Sequence, residues 1–207
     1  MPSIPDSFLM TSSAQRKKIT VDQKERYFYI LTGGPGSGKS SLIEALHRQG
    51  YTRSIEAGRG IIQDQVAIGG RALPWSDPLL FAELMLSWEM RSYRLARESS
   101  GPVFFDRGLP DVLGYLRLLN ILAPEHMRKA AEIFRYNRAV FIAPPWREIF
   151  CQDRERKQDF DEAVRTYESM VATYTALDYE LVEVPRLPLE ERLSFILQRI
   201  RVNTRGV

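Results

Sequence analysis

Two hydrophobic periods alternate along this chain: short β-favouring runs, and longer stretches with apolar residues every three or four positions. The run YFYILT from Tyr27 ends at a glycine-rich turn, and SSLIEALHRQG follows with Leu42, Ile43, Ala45 and Leu46 on one helical stripe and Gly50 as its stop. YTRSIE (51–56) predicts a second strand, and GRGIIQDQVAIGG a helix closed by Gly69 and Gly70. RALPWSD forms a loop before a long helix over 78–99 that carries Leu79, Leu80, Leu84, Trp88 and Tyr93. PVFFD (102–106) predicts a buried strand, 109–136 helical segments, and AVFIA (139–143) another strand. A charged stretch, CQDRERKQDFDE, precedes a helix bearing Val164, Tyr167, Val171, Tyr174 and Leu177, with Asp159 and Glu162 as an N-cap pair. YELVEVP is the last strand and LEERLSFILQRI the last helix. Residues 1–25 lack apolar periodicity and read as a flexible tail.

Strands that alternate with helices imply a parallel sheet covered on both faces. Right-handed crossovers make this a three-layer, doubly wound α/β fold of about five strands, expected over residues 26–203. The 207 residues suffice for one such core.

Composition then narrows the setting. A single cysteine, Cys151, leaves no internal disulfide, no run approaches eighteen apolar residues, and MPSIPDSFLM lacks a secretory pattern. The cytoplasm is the expected location, with no membrane role. A net charge of +3 and no basic patch interleaved with aromatics argue against nucleic acid. Of the 29 basic residues only six are lysines, so forked, phosphate-matching guanidinium groups dominate. His47 and His126 are isolated and suggest no zinc site.

The chemistry begins at Gly33-Gly34-Pro35-Gly36-Ser37-Gly38-Lys39-Ser40, followed by Ser41, which meets the pattern G-x-x-x-x-G-K-[ST] between a strand and an amphipathic helix. Glycines let main-chain N–H groups wrap a polyphosphate, and the helix that starts near Lys39 turns its positive end toward the same phosphates. Lys39 is placed for the β- and γ-phosphates, and Ser40 offers a hard oxygen to Mg²⁺. A P-loop also needs an acid at a neighbouring strand end, and Asp106 supplies it, holding Mg²⁺ through water.

Arg107 follows Asp106 where motor-type AAA+ and helicase ATPases usually place a water-activating Glu. No LSGGQ-like signature occurs, so ABC-type ATPases fit poorly, and no N-K-x-D supports Ras-like guanine recognition.

At FFDRG the chain resembles the P-loop small-molecule kinases that include deoxynucleoside and thymidylate kinases. More closely, it resembles the NadR-like ATPase/kinase family, also labelled AAA family ATPases, through GGPGSGKSSL, IEAGRGII, FFDRGLPDVLGY and DRERKQDFDEA with VEVP…EERL. That resemblance spans about residues 27–199. It implies that Glu56 accepts the proton of an attacking hydroxyl, that Arg59 faces the same cleft, and that Arg107 touches substrate. It also implies that Arg154, Arg156 and Lys157 belong to a lid-like segment at 152–160. Asp111 and Tyr115 lie at helical spacing after the D-R-G turn as candidates for the acceptor side, and Trp75 as a cover.

The expected function is an ATP- and Mg²⁺-dependent kinase acting on an unidentified small-molecule acceptor, with Lys39, Glu56, Asp106 and Arg107 carrying catalysis. The alternative is an NTP-hydrolysing regulatory ATPase that acts on a protein partner.

Overall fold

The computed structural model describes residues 23–150 and 159–205. Within them the strands are β1 (Phe28–Gly33), β2 (Thr52–Arg53), β3 (Val103–Asp106), β4 (Ala139–Ala143) and β5 (Glu180–Glu183). They pair in parallel in the order β2-β3-β1-β4-β5. The helices are α1 (Lys39–Arg48), α2 (Ala57–Ile68), α3 (Pro78–Ala96), α4 (Leu109–Leu118), α5 (Glu125–Ile133), α6 (Phe160–Ala176) and α7 (Leu189–Arg205).

Strand periodicity sorts the core into two layers. Phe28 and Ile30 of β1 face one side, where α3, α4, α5 and α6 cover Val103, Phe105, Val140 and Ile142. Tyr29 and Leu31 face the other, packing with Phe104 and Phe141 under α1 and α7. Every residue of β1 is buried, so its sequence is a near-continuous apolar run up to Thr32 rather than an alternating one. Each large side chain sealed this way is worth about 1.5–3 kcal/mol. A third cluster, with Ile61, Ile62, Leu73 and Phe81, joins α2 to α3.

Several boundaries differ from the sequence expectation. The second strand shrinks from 51–56 to Thr52–Arg53, because the chain leaves the sheet after the Ser54 N–H to Phe104 carbonyl bond and Glu56 becomes the N-cap of α2. In α3 the buried stripe is Phe81, Ala82, Leu86, Glu89, Tyr93 and Ala96, whereas Leu79 and Leu80 are exposed. The 109–136 region divides into α4 and α5 around Asn120, whose φ of 56° ends the first helix. Gln23–Tyr27 form a 3₁₀ turn, so the end of the expected tail is ordered: Glu25 accepts from the Tyr93 hydroxyl at 2.9 Å. Asp159 caps α6, accepting from Glu162 N at 2.7 Å.

The chain lays down β2 and β3 on one side of β1 and β4 and β5 on the other. This reversal opens a crevice at the carboxyl ends of the central strands, where ligands bind open α/β sheets. Register fixes its contents: Leu31 pairs with Asp106, and Gly33 with Ala143. Among the described residues no helix is long and apolar enough to cross a membrane.

Candidate active site

The cradle is the turn between β1 and α1. Gly33 has φ of 130°, and a Cβ there would lie 2.3 Å from the Ala143 carbonyl oxygen, so any side chain would push the loop off β4. Gly38 enters α1 with φ of 78°, a left-handed turn that aims the first N–H groups inward. The loop secures itself: Ser37 Oγ donates to the Gly34 carbonyl at 2.8 Å, and Lys39 Nζ donates to the same oxygen at 2.6 Å. Lys39 is buried, while Ser40 and Ser41 stay exposed at the mouth. From α7, Arg192 Nη2 donates to the Ser37 carbonyl at 2.9 Å, and its guanidinium lies 5.9 Å from the Trp146 ring. Burial lowers the Arg192 pKa below the usual arginine value.

A cavity of about 390 Å³ lies over this loop, bordered by Pro35 to Ser41, Glu56, Arg59, Trp146, Ile149, Phe150, Leu187 to Leu189 and Arg192. Its donors suit a nucleoside triphosphate: main-chain N–H groups, an ammonium and a guanidinium on one side, apolar and aromatic side chains on the other. Mg²⁺ would find the Ser40 hydroxyl and, at the end of β3, the carboxylate of Asp106, a residue whose main-chain N–H donates to Ser54 Oγ at 3.2 Å. Among the described residues no group of three or more His, Cys, Asp or Glu could hold a metal alone. A cation here would therefore take most of its ligands from phosphate and water, the usual habit of magnesium.

Beside the cradle stands a cluster of acids around one arginine. Arg107 occupies the left-handed region with φ of 73°, a backbone state that costs a non-glycine residue about 1–2 kcal/mol. This turn brings Nε to 3.2 Å from Glu56 Oε1 and Nη1 to 3.1 Å from Asp111 Oδ1. Burial works against the Arg107 charge, but Glu56, Asp111 and Asp106 outweigh it and hold its pKa above the ordinary arginine value. Asp111 is a structural hub. It accepts from Thr32 Oγ1 at 2.5 Å, from Gly108 N at 3.0 Å and from the Tyr174 hydroxyl at 2.5 Å, as well as from Arg107. A carboxylate so engaged positions other groups rather than moving a proton.

A second cavity of about 410 Å³ opens on the far side of this cluster. Glu56, Arg107, Asp111, Trp75, Phe81, Met85, Glu89, Tyr115, Glu162 and Met170 border it. Pro35 and Glu56 border both cavities, so Glu56 sits at the seam between them. Arg59 borders the cradle cavity, with Nε 4.0 Å from Glu56 Oε2. Of the lid-like segment at 152–160, Arg154, Arg156 and Lys157 lie outside the described residues, as does Cys151, and its last two residues, Asp159 and Phe160, open α6.

Sequence reasoning overlooked three members of the site. Glu89 is 2% exposed, and burial first, then Asp111 and Asp106, push its pKa well above the ordinary glutamate value. Its signal was available: it falls on the Phe81–Met85–Glu89–Tyr93 stripe, an acid at every-fourth spacing among apolar residues. Arg192 likewise interrupts a buried face of α7. Thr32, an apparently ordinary strand residue, has no such mark.

Against known proteins, the family model described as AAA domain matches residues 28–192. No curated protein matches this chain in sequence. Among solved structures, deoxyadenosine kinase from M. mycoides with bound dATP superposes with a TM-score of 0.61 at 13% identity, covering 84% of this chain and 99% of the kinase. The same enzyme with products dCMP and a flexible dCDP gives a TM-score of 0.62 at 14% identity over 84% and 99%. NadR protein in complex with NR gives 0.60 at 18% identity, covering 89% of this chain and 52% of that one, so the chain spans about half of NadR. These likenesses establish the fold. With the family match across most of its length, the chain belongs to the AAA-domain family, and its fold is that of these P-loop kinases.

Proposed function

We propose that this protein is an ATP-dependent phosphotransferase that moves the γ-phosphoryl group of ATP to a hydroxyl of a small molecule, with residues 26–203 as the catalytic unit. The observation that supports this reading is the seam: Pro35 and Glu56 border both the cradle cavity and the second cavity. Hydrolysis needs only the first cavity and a water. A second one, walled by apolar side chains and meeting the first at a carboxylate, suits an acceptor.

In this reading the triphosphate lies along Gly33–Ser41, with Lys39 against the β- and γ-phosphates. Mg²⁺, held by Ser40 and through water by Asp106, would neutralise phosphate charge. The acceptor hydroxyl approaches from the second cavity. Its oxygen bonds to the γ-phosphorus as the bond from that phosphorus to the ADP oxygen breaks. Its proton passes to the Glu56 carboxylate, so the products are ADP and a phosphate monoester. Arg107 holds Glu56 in place and adds positive charge near the transferring group. Such an enzyme works where ATP is supplied, in the cytoplasm.

Glu56→Gln tests the assignment. Acceptor-dependent transfer should fall by about 10²–10⁴, while calorimetry finds ATP affinity within about twofold of the unaltered protein. Unchanged transfer would remove Glu56 as the base. ATP turnover that needs no acceptor and rises with a protein partner would instead favour the regulatory ATPase.

A further inference from the structure

Arg192 reaches the cradle from α7, and the fold gives this cation little to balance it. The residue is 4% exposed. Its Nη2 donates to the Ser37 carbonyl at 2.9 Å, while its Nε has no hydrogen-bond partner among the described residues. The Trp146 ring, 5.9 Å from the guanidinium carbon, lies at the outer limit of cation–π attraction. Among the described residues no carboxylate forms an ion pair with it. Glu190 and Glu191 share the first turn of α7 but are exposed, and burial alone moves the Arg192 pKa, downward. A buried charge without a counter-ion is costly, and it persists where something else supplies the opposite charge.

Its place in the fold says what that something is. A Cβ on Gly38 would come within 2.7 Å of Arg192 Nη1, so the left-handed glycine of the loop leaves the room that the guanidinium fills. Arg192 and Leu189, the first residue of α7, border the cradle cavity together with Ser37 to Ser41. The start of a helix is itself positive and adds to the field of the buried cation. Lys39 differs in having oxygen partners inside the loop, the Gly34 carbonyl at 2.6 Å and the Ser37 hydroxyl at 3.3 Å.

We infer that Arg192 binds the polyphosphate of the nucleotide, as a second fixed cation that α7 delivers to the cradle beside Lys39. The nucleotide then supplies the negative charge that the folded chain withholds. This role rests on the proposed triphosphate site, and it holds whether the phosphoryl group passes to an acceptor or to water. An arginine that merely tied α7 to the loop would stabilise the empty protein. A cation lacking its counter-charge instead costs stability until nucleotide arrives, so an apolar side chain of similar length should leave the nucleotide-free fold unharmed.

Calorimetry with Mg·ATP, paired with melting curves of the nucleotide-free protein, tests both halves. For Arg192→Met the Kd for Mg·ATP should rise about 10- to 100-fold, the worth of one hydrogen bond to a charged group. The same variant without nucleotide should melt at or above the temperature of the unaltered protein. An unchanged Kd overturns the inference and leaves the triphosphate site standing. Should the methionine variant both melt early and bind poorly, Arg192→Lys and Arg192→Gln decide the matter. Lysine keeps the charge, and glutamine keeps only a donor for the Ser37 carbonyl. Mg·ATP binding about threefold or more tighter in the lysine variant than in the glutamine variant upholds the role, and a smaller difference overturns it. No heat from Mg·ATP with the unaltered protein overturns the triphosphate site itself, and the phosphotransferase reading with it.

Discussion

The two cavities meet at one glutamate, yet they are built on opposite plans. The cradle comes from one continuous stretch, Gly33–Ser41, and its working surface is mostly main chain, held by bonds such as Ser37 Oγ to the Gly34 carbonyl at 2.8 Å. The second cavity draws its side chains from four helices, the loop before α3 and the turns that carry Pro35, Glu56 and Arg107, and its working surface is carboxylates, a guanidinium, rings and thioethers. A main-chain site tolerates variation outside its few glycines and its lysine. A side-chain site depends on how distant elements pack, and each charge in it needs a partner from elsewhere in the chain.

Breaking the cradle should therefore be severe and local. Lys39→Met removes the cation placed for the transferring phosphoryl group, and by analogy with lost phosphate-clamping cations kcat should drop about 10³–10⁵-fold. Acceptor binding to the second cavity, followed by calorimetry without nucleotide, should persist. A parallel loss of acceptor affinity would show that the two sites are not separable.

Legibility follows the same division. The P-loop is a contiguous pattern with a mechanism attached, so Gly33 through Ser40 and the strand and helix around it could be found from sequence, as could the strand ending at Asp106. The five-strand parallel sheet followed from alternating periods, because buried strands and half-buried helices carry different hydrophobic spacing. The edge strand β2 was overestimated, since nothing local says that pairing stops after Arg53 while the chain swings out to aim Glu56. The second cavity was only half visible. Asp111, Tyr115 and Trp75 were the expected candidates on the acceptor side, and Glu89 from the middle of α3 and Met170 from α6 also border it. Only tertiary packing brings α6 against α4, where Tyr174 reaches Asp111.

Arg107 is where the second plan can be broken most cleanly. Arg107→Ala leaves Glu56 and Asp111 facing each other without their shared counter-ion, and losing one partner of a buried ion cluster costs about 3–5 kcal/mol. Arg107→Gly removes the same charge but accepts the left-handed φ of 73° without strain, so it should be about 1 kcal/mol more stable than the alanine variant. Urea unfolding separates the two terms. Equal midpoints for both variants would mean that the turn stores no strain. A small loss in either would mean that the acids reorganise without their arginine.

The smallest effect concerns Glu89 and the pH dependence of stability. Its folded pKa stands well above the ordinary glutamate value of 4.5, through burial first and then Asp111, Asp106 and Glu56, against the lowering pull of Arg107. Below that value both folded and unfolded chains hold the proton, and Glu89 adds no pH slope. Above it the unfolded chain releases the proton while the folded one keeps it, so the folded state binds more protons and stability declines as pH rises. The decline ends once pH passes the folded pKa. Glu89→Gln keeps the shape and never ionises, so its melting temperature should match the unaltered protein near pH 4 and exceed it by a growing margin toward pH 8. Because every other titrating group is common to both proteins, the difference between the two melting curves isolates this one carboxyl. A margin that stays flat across that range would mean Glu89 is ionised in the folded state, its charge compensated by Arg107 despite the two acids that already share it.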